Sequence, residues 1–118
     1  MARELKLMAD YAVWPLWDAD GNVDPATLPI STELQARLDA WAEIFDGTVN
    51  RDDPRTALWS SAEAAKEWNE QGVELWHELQ HELGTAYVVC YFSEADRDVL
   101  FPREEDKARS LFKGPHDH

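Results

Sequence analysis

The stretch SSAEAAKEWNEQGVELWHELQHELG, residues 60–84, followed after Thr85 by AYVVCYF, residues 86–92, decides the reading of this chain. At 100° per residue, Ala65, Trp68, Gly72, Leu75, Trp76, Leu79 and Leu83 fall on one side of a helix. Glu63, Lys66, Glu70, Glu74, His77 and His81 fall on the other. Ser60 with Glu63 forms a capping box at the start, and Gly84 stops the helix. Gly72 lies on the apolar stripe, where the missing side chain permits close packing. The seven residues after it are apolar and rich in β-branched and aromatic types, so 86–92 reads as a central strand. Val88, Cys90 and Phe92 share one of its faces, and Tyr87, Val89 and Tyr91 the other.

Upstream, Leu5 to Ala9 alternates and predicts a short strand with Leu5 and Leu7 facing the core. Residues 10–30 hold three prolines, Gly21, Tyr11, Trp14 and Trp17. A structureless loop of that length is unusual in a small domain. It is therefore expected to be ordered by its aromatics, with a hairpin turning at Asp20-Gly21-Asn22. A first helix starts at Ser31 or Thr32, carries Leu34, Leu38, Trp41 and Phe45 inward, and ends at Phe45, with Gly47 as its stop. Val99 to Phe101 predicts an edge strand and Glu104 to Phe112 a short last helix. The expected fold is α+β in one domain, residues 1–118, with a core over about 3–93. In it a β-α-α-β helical hairpin packs on a small, mostly antiparallel sheet.

The chain carries 24 acidic and 11 basic side chains, a net charge of −13. Up to Phe92 the count is 17 against 6, so −11 of it belongs to the folded body. Such a surface repels nucleic-acid phosphates and anionic lipid and steers cationic partners. Plain solubility is the competing reading of the same charge. Cys90 is the single cysteine, which excludes an intramolecular disulfide and a cysteine-rich zinc site, and its apolar setting predicts an inert thiol. With no signal peptide and no apolar run near 18 residues, a cytoplasmic protein is expected. The sequence leaves the oligomeric state open. Six tryptophans each bring a large apolar area and an N–H that needs an acceptor.

Three segments carry candidate chemistry. His77-Glu78-Leu79-Gln80-His81 matches the zinc-hydrolase pattern, in which His77 and His81 hold zinc and Glu78 is the general base. Tyr87 stands where one protease class has its third histidine, and an exposed face rich in His and Glu explains the pattern equally simply. Asp18 to Asp24 spaces oxygen ligands like a calcium loop, but Val23 replaces the turn glycine and Pro29 the last glutamate, so a polar turn is expected. Asn50-Arg51-Asp52-Asp53-Pro54, with Asp10, reads either as a pinned loop or as a polar hot spot for a partner. No nucleophile motif, phosphate-binding glycine loop or basic aromatic patch is present.

Leu7-Met8-Ala9-Asp10-Tyr11, Trp14-Pro15-Leu16-Trp17, Leu28-Pro29-Ile30-Ser31, Asn50 to Pro54 and Tyr91-Phe92 occur together in this order. In these segments the chain resembles a family of small acidic bacterial proteins of the kind common in actinobacteria. In size and charge it is similar to immunity proteins that neutralise secreted toxins. The resemblance carries no catalytic residues with it, and in that family the region around His77 and His81 more often holds other polar residues. The leading expectation is a non-catalytic module that binds a basic protein partner, such as a toxin, through Asp10, Trp14, Trp17, Arg51, Asp52 and Asp53. The alternatives are a zinc hydrolase using His77, Glu78 and His81, and a structural, oligomerising protein.

Overall fold

The computed structural model describes residues 2–53 and 57–112. Its elements are β1 (Arg3–Leu7), β2 (Leu16–Asp18), β3 (Gly21–Val23), α1 (Thr32–Asp46), α2 (Ala62–Leu83), β4 (Tyr87–Ser93), β5 (Asp98–Leu100) and α3 (Glu104–Arg109). The five strands form one mixed sheet in the order β3-β2-β1-β4-β5. β1 and β4 run parallel, with Leu5 opposite Val89 and Leu7 opposite Tyr91, and the other three pairings are antiparallel. This is the expected α+β arrangement, with a helical hairpin between the two inner strands. The first strand begins two residues earlier than the alternation implied, because its pairing with β4 starts at Arg3. Met8 and Ala9 leave the strand yet stay buried. The region 10–30 holds a hairpin, β2–β3, but it turns at Ala19-Asp20 and not at Asp20-Gly21-Asn22, because Gly21 and Asn22 already pair with Asp18 and Trp17.

The helices begin and end on local signals. The Ser31 hydroxyl accepts from the Leu34 N–H, and Gly47 ends α1. Ser61, one residue later than the capping box suggested, caps α2 through the Ala64 N–H, and Gly84 ends it with φ +63°. Glu82 near the end of α2 accepts from both the N–H and the hydroxyl of Ser31, at 2.6 and 3.0 Å, which ties the antiparallel pair together.

The seam between the helices is aromatic. Trp41 and Trp68 stack with ring centroids 4.3 Å apart and planes 2° from parallel. Each donates its indole N–H to the backbone carbonyl of the other, at 3.0 and 2.9 Å. A Cβ on Gly72 would lie 2.7 Å from the Trp41 ring and collide with the Tyr91 hydroxyl, so the close approach of α2 to both requires glycine there. β5 pairs only with Tyr91 to Ser93, leaving the first half of β4 without a strand neighbour on that side. Side chains of α2 take its place. The Gln80 amide donates to Tyr87 O and accepts from Val89 N, both at 2.8 Å, and the Trp76 indole donates to Val89 O at 2.7 Å. The backbone groups of an inner strand are thereby satisfied without a sixth strand.

The second face of the sheet has a smaller core of Met8, Cys90, Phe92 and Val99, with Trp17, Phe101 and Phe112 packed against it. Lys6 emerges on this face and places its ammonium 5.0 Å from the centre of the Phe112 ring. Burial pushes the Cys90 thiol up to about 12, in keeping with an inert cysteine. No helix among the described residues is long and apolar enough to cross a membrane.

Candidate functional site

The chain leaves β1 and β4 at the same end of the sheet, because the two strands are parallel. Open sheets present their loops to ligands at that end. The β1–β2 loop is closed by a hydrogen bond from Met8 N to Pro15 O at 2.9 Å. Within it Asp10 accepts from the Tyr11 N–H at 2.8 Å, and the Tyr11 ring stacks on Phe45 at 4.7 Å. Ala12 holds a positive φ of 61°, and its N–H donates to the Asp46 carboxylate at 3.0 Å. An alanine in the left-handed region is a strained choice, here fixed by that bond.

Trp14 is mounted rigidly and exposed. Its N–H donates to the Asn22 side-chain oxygen at 3.0 Å, and its carbonyl accepts from the Asn22 amide at 2.7 Å. The same amide also reaches Leu16 O at 3.0 Å. Trp14 nevertheless keeps 45% of its surface exposed to water. A fixed backbone under a bare aromatic loses little entropy on binding.

The α1–α2 connection runs beside this loop. Thr48 meets the Tyr11 hydroxyl at 3.4 Å and accepts the Leu58 N–H on its carbonyl at 2.7 Å. Val49 and Leu58 are exposed apolar side chains in this connection. The Asn50 side chain accepts from Asp52 N and Asp53 N, at 3.0 and 3.2 Å, a local turn that leaves Arg51 and Asp52 exposed and Asp53 half-buried. Pro54 lies outside the described residues. The β4–β5 turn adds Glu94, which pairs with Arg97 at 3.1 Å, Arg97 itself holding a positive φ of 53°. Burial raises the Glu94 carboxyl above its ordinary value, Arg97 opposes this, and the Asp10 charge adds to it. A cleft of about 470 Å³ opens beside Glu94, floored by Trp59 and Trp68.

Among the residues singled out from sequence, Asp10 and Trp14 therefore share one loop, and that loop is bonded to the connection that carries Arg51, Asp52 and Asp53. Trp17 is placed elsewhere. Its indole donates to Met8 O at 2.9 Å and its ring packs in the second core. Asp46, Asn22 and Glu94 also belong to this end. Nothing in the local sequence marks Asp46 as a partner of Ala12, or links Asn22, a turn residue, to Trp14.

The other two motifs find structural employment. His77 and His81 are both exposed on α2, but Glu78 forms an ion pair with Arg37 of α1, and Gln80 is bonded to β4. Among the described residues no third His, Cys, Asp or Glu joins the pair in a metal-binding group. In the segment 18–24, Asp18 accepts from Asp20 N, Asn22 serves Trp14, and Asp24 caps the 3-10 turn Pro25–Thr27 through Ala26 N. Its oxygens build the polar turn that was expected.

No curated protein matches the sequence. A family model does match, and it spans residues 3–94, from the start of β1 to just past the end of β4. It therefore takes in the two long helices, four of the five strands and the loops that mount Trp14. On that match the chain belongs to the family described as Serratia CdiI immunity protein-like.

Proposed function

We propose that this protein is a cytoplasmic immunity protein that binds a basic protein toxin and neutralises it by occupancy, without catalysing a reaction. The observation that carries the reading is the loop end, where a rigidly held, exposed Trp14 stands beside exposed carboxylates on a chain of the immunity protein-like family. Interfaces concentrate their energy in a desolvated aromatic ringed by polar groups, and Trp14 with Asp10, Arg51, Asp52 and Asp53 has that composition. Trp17 contributes indirectly, by packing under the β1–β2 loop. The net charge of −13 raises the encounter rate with a cationic partner.

The test is a titration of the purified protein with its cognate toxin, in low and high salt. The proposal predicts a one-to-one complex whose association slows at least about tenfold as salt rises from about 0.05 to 0.5 M. Association that ignores salt, or a toxin that stays active when saturated, contradicts it.

A further inference from the structure

A second cleft, of about 600 Å³, lies away from the loop end, between the start of β1, the β2–β3 turn and the C-terminal segment. Its apolar wall includes Val23, Leu28 and Tyr87, all half-buried against the main core. Three carboxylates, those of Glu4, Asp18 and Asp20, also line it, against one cation, Arg3. None of the three carboxylates takes part in an ion pair among the described residues. Two accept only a backbone N–H: Glu4 from Leu111 at 2.8 Å, and Asp18 from Asp20 at 2.8 Å. Leu111, held at the rim by that bond, exposes 70% of its surface.

We infer that this cleft receives an arginine or lysine side chain of the protein partner. An apolar wall with a charged mouth matches a side chain that carries its cation on a hydrocarbon stem. Carboxylates with no ion-pair partner among the described residues keep lone pairs for a guanidinium or ammonium group. The exposed Leu111 adds apolar surface for the residues flanking that side chain. This inference rests on the reading of the chain as a binder of a basic protein, and it adds a contact away from Trp14.

The experiment needs no partner, so its outcome is separable from that of the neutralisation assay. The full-length protein, labelled with nitrogen-15, is titrated with the blocked tripeptide acetyl-Gly-Arg-Gly-amide and with its uncharged citrulline counterpart. The expected result is a set of amide shifts confined to residues 3–5, 18–20, 27–28, 87 and 111, saturating with the arginine peptide and absent with citrulline. Asp18→Asn with Asp20→Asn keeps the acceptor for the turn and removes two charges, and should weaken binding about fivefold. Glu4→Gln retains the bond to Leu111 and should weaken it by a smaller factor. Shifts spread over all acidic surfaces, equal binding of the citrulline peptide, or an unchanged affinity in the Asn pair would overturn the assignment. So would spermidine binding more tightly than the peptide, since that would make the cleft a small-polyamine site.

Discussion

Trp68 and Trp14 are the same residue type put to opposite uses. Trp68 is buried, its ring stacked on Trp41 and its indole N–H donated to a carbonyl across the helix seam. Trp14 has its backbone bonded on both sides, but its ring stands in water and its indole N–H forms no bond among the described residues. In the seam every polar atom is used internally, and no buried side-chain polar atom of the described residues lacks a partner. At the loop end the backbone is equally well fixed, yet the side chain of Trp14 is left over. On the proposed reading the stabilising and the binding side chains are therefore different residues, although Phe45 connects the two regions by stacking on both Tyr11 and Trp68. Changes in the seam should unfold the protein, and changes at the loop end should leave the fold intact and affect only what it binds.

That separation can be broken at several points. The largest effect is expected from Trp68→Ala, which removes the stack and leaves the Trp41 carbonyl without its donor. It should cost about 3–5 kcal/mol in chemical denaturation. A loss below about 1 kcal/mol would mean that the seam is not the stabilising element. Gly72→Ala should cost about 1–3 kcal/mol, because the new Cβ meets the Trp41 ring and the Tyr91 hydroxyl. A neutral or stabilising result, as helix propensity alone would give, would show that α2 can shift away from Tyr91. Gln80→Ala should cost about 1–2 kcal/mol and speed amide exchange at Val89 first, because Gln80 substitutes there for a neighbouring strand. Exchange unchanged at Val89 would refute that role. The smallest effect belongs to Trp14→Ala, which should stay within about 0.5 kcal/mol of the parent in stability.

Much of the seam was legible in the sequence. The stripe from Ala65 to Leu83 and the glycine within it follow from helical periodicity, which reports directly on burial. The alternation in 86–92 likewise assigned Val89 and Tyr91 to one core and Cys90 and Phe92 to the other. The reciprocal bonds of Trp41 and Trp68 were not legible, since sequence shows only that each indole needs an acceptor. Gln80 carried a usable signal: it lies four residues after Trp76, so both face the same strand edge. It was read instead within the His-Glu-x-x-His pattern, whose glutamate is occupied by Arg37. The loop end was half legible. Asp10, Trp14 and the Asn50–Asp53 turn stood out by residue type. Asp46 and the tie of Asn22 to Trp14 did not, because their roles depend on contacts between segments 8 or more residues apart. The placement of Trp17 was not legible, because its position on a strand decides its face and the hairpin register was not fixed by the turn alone.

The most direct test of the central claim is calorimetric titration of the toxin with the parent protein and with Trp14→Ala at equal folded concentration. The account predicts an affinity loss of about thirtyfold, corresponding to about 2 kcal/mol, with the melting temperature unchanged. An unchanged affinity in the folded variant would contradict it and move the binding surface away from the loop end.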